Sequence, residues 1–189
     1  MGIQLDPLHA LLFTGGLLIL AKIIFSKVRS DYVTRGALSK PVAIIQTGFF
    51  FVYAFSSYLF LDSRLNAIRP RGLVLVFIVL LMLIGLLIVL FSMPILGKRS
   101  FGSTIGQLHT TGLYHFSRNP QLLGSFIFII GYCSLWPTWG GFLWAFLWLP
   151  IGYWMVKAEE EHLLIVFGKE YEIYRKNTSF FFNLPKRKS

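Results

Sequence analysis

The stretch Asn119–Val156, NPQLLGSFIFIIGYCSLWPTWGGFLWAFLWLPIGYWMV, runs for 38 residues without a charged side chain. As a single α-helix it would be about 57 Å long, whereas the apolar core of a bilayer needs only about 20 helical residues. Its middle, Trp136–Gly141, has a proline and two adjacent glycines, which end helices, and tryptophans, which favour the membrane interface. The stretch therefore predicts two short membrane spans joined by a tight turn.

Three further apolar zones precede this predicted hairpin. They are Leu8–Phe25, which contains His9 and Lys22, and the uncharged zones Pro41–Leu61 and Gly72–Gly97. With 55% hydrophobic and only 14% charged residues, the chain has the balance of an integral membrane protein. We expect an all-α integral membrane fold of about five transmembrane helices, the last two forming the short helix 4–5 hairpin.

The chain is expected to form a single membrane domain over residues 1–189, without internal repeats. Residues 1–94 hold three spans, the third ending near Ser92–Pro94, because a proline discourages helix continuation. In residues 95–189 the composition changes after the hairpin. There, residues 158–176, AEEEHLLIVFGKEYEIYRK, repeat large apolar side chains at three- and four-residue steps and are interrupted by Gly168. This pattern predicts a C-terminal amphipathic helix lying against the cytoplasmic membrane face.

Lysine and arginine are distributed unevenly between the two sides that five spans define. One side carries Lys27, Arg29, Arg35, Lys40, Lys98, Arg99, Arg118, Lys157, Lys169, Arg175, Lys176, Lys186, Arg187 and Lys188, and the other only Arg64, Arg69 and Arg71. The bias predicts an N-terminus outside and a C-terminus in the cytoplasm, in a prokaryotic cytoplasmic membrane or the endoplasmic reticulum. A basic face against anionic lipid accounts for the net charge of +10 without a nucleic-acid partner.

Two polar clusters flank the predicted hairpin. The first comprises Gly112, Tyr114, Arg118, Asn119 and Pro120, and the second comprises Glu159, Glu160, Glu161 and His162. Because a hairpin returns the chain to the side it left, both clusters are expected at one face.

Local rules explain part of the first cluster and less of the second. Asn119 suits an N-cap, Pro120 suits the first helical position, and Arg118 obeys the positive-inside rule. Three adjacent carboxylates near the headgroups need partners, which Arg118, Lys157 or a bound cation would supply. Ligand binding and structural pairing both remain open from the residues alone.

Several classes of site are disfavoured by the sequence. The histidines lack the short fixed spacing of a zinc site, and Cys133 is the one cysteine, so no metal is expected. The chain has no Gly-x-Ser-x-Gly elbow, phosphate-binding loop or dinucleotide fingerprint.

The C-terminal half, from Leu96 to Leu184, resembles the superfamily of isoprenylcysteine carboxyl methyltransferases and phospholipid methyltransferases, which are integral membrane enzymes. The resemblance rests on two motifs that flank the hairpin: Gly112-Leu113-Tyr114 with Arg118-Asn119-Pro120 before it, and Glu159-Glu160, Leu163, Phe167-Gly168, Tyr171 and Tyr174 after it. The second motif is fully in register. In the first, Asn119 stands where the family usually has histidine, and Leu122 where it usually has tyrosine.

The resemblance implies methyl transfer from S-adenosylmethionine, held in a cytoplasm-facing pocket in residues 95–189, to a lipid-linked or small hydrophobic acceptor that approaches from the bilayer. It implies catalytic roles for Arg118 and Glu160. The cofactor-binding residues it implies are His109, Gly112, Tyr114, Arg118, Asn119, Pro120, Glu159, Glu160 and Tyr171. Arg118 suits the donor's carboxylate, and the glutamates suit its cationic groups. At the two departures, Asn119 keeps hydrogen bonding without charge, and Leu122 makes the acceptor site more apolar.

Two other functions stay open at this point. Sterol reductases share a related hairpin and polar pocket but bind NADPH, and a non-enzymatic membrane protein would retain only the scaffold. The acceptor atom, a thiol, a carboxylate or an amine, is not readable. Gly124 and Gly131 suit a close helix contact either within the fold or between chains, which leaves the oligomeric state open.

Overall fold

The computed structural model describes residues 7–60, 69–100 and 108–181, with the side chains of Pro7 and residues 93–100 excepted. In these ranges all regular secondary structure is helical. The helices are α1 Pro7–Arg35, α2 Lys40–Phe60, α3 Leu73–Ser100, α4 Leu113–Phe116, α5 Pro120–Ser134, α6 Trp139–Phe167 and α7 Lys169–Asn177. The all-α integral membrane fold is thereby confirmed.

Among the described residues, four of the five apolar helices are long enough to cross a membrane. These spans are Leu8–Arg35, Lys40–Phe60, Leu73–Ser92 and Trp139–Phe167. The fifth apolar helix, α5, has 15 residues and is about 22 Å long, which is short of the roughly 30 Å apolar core of a bilayer. The predicted tight turn is present, because α5 ends at Ser134 and the Thr138 hydroxyl accepts a hydrogen bond from the Gly141 amide at the start of α6.

Helix α6 is the centre of the bundle and packs against α1, α2, α5 and α7. Half of its most apolar window is buried, against 11% for α3, which faces outward along most of its length. Trp144 joins α6 to α2, because its indole Nε1 donates to the Ser56 hydroxyl (2.9 Å) and the Tyr53 hydroxyl donates back to the Trp144 carbonyl (2.9 Å). The Trp144 and Tyr53 rings stack with centroids 4.6 Å apart.

Glycines bring α5 close to its neighbours. A Cβ on Gly85 of α3 would lie 2.7 Å from the Gly124 carbonyl oxygen, and a Cβ on Gly124 would lie 2.8 Å from the Gly85 carbonyl oxygen. On the other side of α5, Gly152 of α6 leaves the space that the Leu122 side chain fills. Gly124 therefore serves a contact within the fold.

Two predicted helix ends are wrong. Helix α3 does not stop near Ser92–Pro94 but continues to Ser100. Helix α6 does not end near residue 156: it passes Pro150 and the three glutamates and ends at Phe167, so the separate helix over residues 158–176 is replaced by the end of α6 and the short α7. A proline inside a helix removes one backbone hydrogen bond, which long membrane helices tolerate.

The C-terminal ends of α1 and α6 lie together at one end of the bundle. Arg29 forms an ion pair with Glu161, and the Tyr32 ring stacks on the His162 ring with centroids 4.4 Å apart. This places residues of the first and third predicted basic regions on one side, and Arg118 of the second region joins them beside Glu160. Arg64, Lys186, Arg187 and Lys188 lie outside the described residues. Which side of the membrane this end faces stays a prediction.

Candidate active site

Arg118 and Glu160 approach each other at the end of the hairpin that lies away from its turn. Arg118 lies in the loop between α4 and α5. Glu160 lies in the polar C-terminal part of α6, eight positions before the Gly168 that caps the helix. The Arg118 Nη1 and Glu160 Oε1 atoms are 3.0 Å apart, and their side chains are only 12% and 17% exposed. The structure therefore brings one member of each polar cluster into a largely buried ion pair.

This ion pair leaves hydrogen-bonding capacity inside the site. Although the two atoms are close, they are not aligned as a hydrogen bond. Among the described residues, Arg118 Nε and Nη1 and Glu160 Oε1 are buried without any hydrogen-bond partner. Buried polar atoms of charged groups seldom lack a hydrogen-bond partner. The pair therefore has donors and an acceptor ready for a ligand that carries both charges.

Tyr171 of α7 completes one wall beside Glu160. Its side chain is 1% exposed, and its hydroxyl lies close to the Glu160 carboxylate. Burial raises the pKa of the Tyr171 hydroxyl, the negative charge of Glu160 raises it further, and Arg118 partly opposes the shift. Tyr171 is therefore a neutral donor toward Glu160 at physiological pH.

Tyr174 fixes α7 against α4. Its hydroxyl donates to the Tyr114 carbonyl at 2.7 Å, and its ring centroid lies 6.0 Å from that of Tyr171. Tyr114 is itself buried, with its hydroxyl 3.5 Å from the Ser92 carbonyl. The Tyr174 and Tyr114 hydroxyls thus link α7, α4 and α3, and Tyr174 packs beside Tyr171. Tyr174 belongs to the second sequence motif, but its anchoring role is shown only by this hydrogen bond.

Two glycines adopt backbone conformations that other residues rarely adopt. Gly112, before α4, has φ +63°, and Gly168, between α6 and α7, has φ +49°. A Cβ at either position would meet nothing within 4 Å, so the constraint is on the backbone and not on space. Gly112 turns the chain into α4, and its predicted part in cofactor binding stays a prediction.

Asn119 stands at the N-cap position of α5, but its side chain does not cap the helix. Its amide Nδ2 instead donates to the Phe180 carbonyl at 3.3 Å. The predicted N-cap hydrogen bond is therefore wrong, because a partner far along the chain takes the side chain. Pro120 occupies the first position of α5 as predicted and is buried.

The residues of the acidic run contact different parts of the bundle. Glu160 faces Arg118, whereas Glu161 pairs with Arg29 and His162 stacks on Tyr32. Successive side chains of a helix point about 100° apart, so neighbours in sequence reach different helices. Glu159, predicted to bind cofactor, is half-buried on the same turn of α6. No local sequence pattern indicates that α1 supplies Arg29 and Tyr32.

The remaining candidates lie outside this cluster. His109 is exposed ahead of α4 and makes no hydrogen bond, ion pair or ring contact within the described part of the chain, so the structure does not bring it to the ion pair. The Lys157 ammonium lies 6.0 Å from the Tyr153 ring centroid. Leu122 is buried in the α5–α6 interface, and its expected effect on the acceptor site stays a prediction.

An apolar groove of about 500 Å³ lies between α1 and α2, where Phe13, Phe55 and Tyr58 contribute to its walls. Phe13 precedes Arg29 by 16 positions, which is about 24 Å along α1. The groove is therefore at the other end of the bundle from Arg118. No group of three or more potential metal ligands occurs among the described residues.

Comparison with known proteins places this site in a family. Searches against curated proteins and against solved structures find no significant match. A family model described as phospholipid methyltransferase matches residues 71–170, which is 100 of the 189 residues. The matched segment runs from the start of α3 to the start of α7 and contains both Arg118 and Glu160. The chain therefore belongs to the phospholipid methyltransferase family, and its span-length apolar helices make it an integral membrane member of that family.

Proposed function

We propose that this protein moves a methyl group from S-adenosylmethionine to a lipid-linked or small hydrophobic acceptor. The observation that carries the proposal is the buried Arg118–Glu160 pair, which lies inside the segment matched by the family and retains unused hydrogen-bonding atoms. A pair that served packing alone would gain most by satisfying those atoms internally.

The residues present fit the proposed methyl donor. Its amino-acid end carries a carboxylate and an ammonium, and Arg118 and Glu160 offer the complementary charges side by side. The Arg118 Nε and Nη1 atoms lack hydrogen-bond partners among the described residues, so the guanidinium retains donors for a carboxylate. Glu160 would hold the ammonium while Tyr171 orients its carboxylate.

When bound, S-adenosylmethionine supplies an electrophilic methyl group, which is transferred by in-line displacement. The protein's own contribution is positioning and the exclusion of water. The buried Tyr114, Tyr171 and Tyr174 exclude water from this end of the bundle, and the hydroxyls of Tyr114 and Tyr174 are oriented by hydrogen bonds. Within the described residues we assign no general base, since His162 faces Tyr32 of α1 and not the ion pair.

The acceptor is proposed to come from the bilayer. The site lies at an end of the bundle whose helices are long enough to span the membrane, and it is bordered by the exposed Tyr153 and Lys157 of α6. The basic residues of this end favour the cytoplasmic side, where S-adenosylmethionine is available. The acceptor atom, whether thiol, carboxylate or amine, is left to experiment.

Binding and transfer can be tested separately. The protein in lipid nanodiscs would be titrated with S-adenosylhomocysteine in a calorimeter, together with Glu160→Gln and the matched control Glu161→Gln. We expect Glu160→Gln alone to lose affinity, because the Glu161 carboxylate points about 100° away around α6 and pairs with Arg29. Absence of heat with the unaltered protein would overturn the proposal and favour a non-enzymatic protein on this scaffold.

Membranes containing the protein would then be incubated with radiolabelled S-adenosylmethionine. Label in the lipid extract identifies a lipid acceptor, and label in protein or in small thiols identifies the other classes. The same membranes with Arg118→Met would report the background. Equal labelling in both samples would show that Arg118 has no part in the reaction.

A further inference from the structure

The segment after α7, Thr178–Phe181, crosses the loop that carries Arg118, and we call it the C-terminal strap. The Arg118 amide donates to the Ser179 carbonyl at 3.1 Å. The Ser117 hydroxyl and the Asn119 side-chain amide both donate to the Phe180 carbonyl, each at 3.3 Å. Three consecutive loop residues are therefore bonded to two consecutive strap carbonyls.

The strap also places an aromatic ring on the proposed ligand-binding arginine. The Phe180 ring centroid lies 5.9 Å from the guanidinium carbon of Arg118, within the range of a cation–π contact. The same ring packs against Tyr153 of α6 with centroids 6.5 Å apart. Phe180 and Glu160 thus constrain the Arg118 side chain in two different ways.

The start of the strap is tied to the site wall. The Thr178 amide donates to the Tyr174 carbonyl at 2.9 Å, and the Thr178 side chain is buried. Because Tyr174 is bonded to Tyr114, displacement of the strap would disturb α7 and α4 together.

We propose that Asn119 is a positioning residue for Arg118: its side-chain amide latches the C-terminal strap, and the strap holds Phe180 against the guanidinium. The identity of the ligand rests on the proposed function, but the latch itself does not. A ligand that needs the fixed guanidinium binds more weakly when the latch is lost. By linkage, the same ligand protects the strap when it binds.

Hydrogen exchange tests the latch without any ligand. Asn119→Ala and Ser117→Ala each remove one donor to the Phe180 carbonyl, and Ser125→Ala removes a similar half-buried hydroxyl that bonds only within α5. In nanodiscs, we expect exchange of the strap amides and of the Arg118 amide to rise together by about tenfold for Asn119→Ala, the change for loss of one hydrogen bond. Ser117→Ala should act in the same direction, and Ser125→Ala should leave these amides unchanged.

Ligand affinity tests the positioning. We expect Asn119→Ala and Phe180→Leu to raise the dissociation constant of S-adenosylhomocysteine by about five- to tenfold, and Phe180→Tyr, which keeps the ring, to restore it. Unchanged exchange in Asn119→Ala would overturn the latch, whatever the affinity. Faster exchange with unchanged affinity would overturn the positioning role. If the unaltered protein binds no S-adenosylhomocysteine, the proposed function fails, and the exchange data then show separately whether the latch exists.

Discussion

Replacing Glu160 by glutamine keeps the size of the side chain and removes its charge, which leaves Arg118 in a largely buried site without its counterion. Breaking a fully buried ion pair by removing one partner costs about 3–5 kcal/mol. Glutamine keeps a carbonyl for the Tyr171 hydroxyl or for Arg118, and a hydrogen bond to a charged group recovers about 1.5–3 kcal/mol of this. We therefore expect Glu160→Gln to lower the free energy of unfolding by about 1–3 kcal/mol.

The adjacent substitution gives the matched comparison. Glu161 pairs with Arg29, but the side chains are 28% and 60% exposed, so solvent screens the pair and its loss costs about 0–1 kcal/mol. Denaturant unfolding of both variants in mixed micelles measures the difference. In the calorimeter, Glu160→Gln should also weaken S-adenosylhomocysteine binding by about 10- to 100-fold, as for a lost charged hydrogen bond. Equal stability and equal affinity of the two variants would refute the assignment of Glu160 to a buried ligand site.

Three further predictions follow from local geometry. Gly168 has φ +49° with ψ −120°, a combination that glycine adopts but residues with a Cβ rarely do, so Gly168→Ala and Gly168→Asn should each cost about 1–3 kcal/mol in unfolding free energy; an unchanged stability in either variant would contradict this account. Gly152→Ala should lower the free energy of unfolding by about 1–3 kcal/mol, because its Cβ would overlap the Leu122 side chain. The double variant with Leu122→Ala should be more stable than the sum of the two single losses predicts, and strict additivity would argue against the contact. Because burial raises the pKa of Tyr171 above its ordinary value of 10.0, the unfolded chain ionises this group first as pH rises, so stability should fall above about pH 10, and Tyr171→Phe should reduce that slope; identical slopes would refute it.

The hairpin could be predicted from sequence because its signals are local. A charge-free run too long for one span, broken by Trp136–Gly141, has few alternatives in a membrane, and the Thr138 cap fixes the start of α6. The predicted end of α6 is wrong because the acidic run after Val156 resembles a membrane exit. A helix ends where its backbone can no longer continue, and this occurs at Gly168.

The partners of the polar residues could not be predicted in the same way. Glu161 reaches Arg29 across 132 positions of sequence, and Asn119 reaches Phe180 across 61. Nothing in the local pattern distinguishes Glu160 from its neighbours, since any of the three could have faced Arg118. Their division was decided by the rotation of α6 against α1 and α5, which depends on packing far from the charges.

The non-helical conformation before Pro120 follows from the distance that Arg118 must cover to reach Glu160. Leu122 of α5 lies against Gly152 of α6, so the two helices are in register at that level. Glu160 is eight positions beyond Gly152, or about 12 Å along α6. Arg118 is only four positions before Leu122. Four residues of helix cover about 6 Å, which is too short to bring Arg118 level with Glu160, whereas four residues of extended chain cover about 13 Å.

The chain meets this distance by leaving the helical conformation before α5. Proline disfavours a helical conformation in the residue before it, and Asn119 accordingly has φ −133° and ψ +60°, while Ser117 is extended at φ −145° and ψ +140°. The hydrogen bonds of the strap then supply the partners that an extended loop cannot find within itself. Pro120 thus makes the reach of Arg118 to Glu160 possible, and the strap maintains it, so the break before α5 is part of how the site is built.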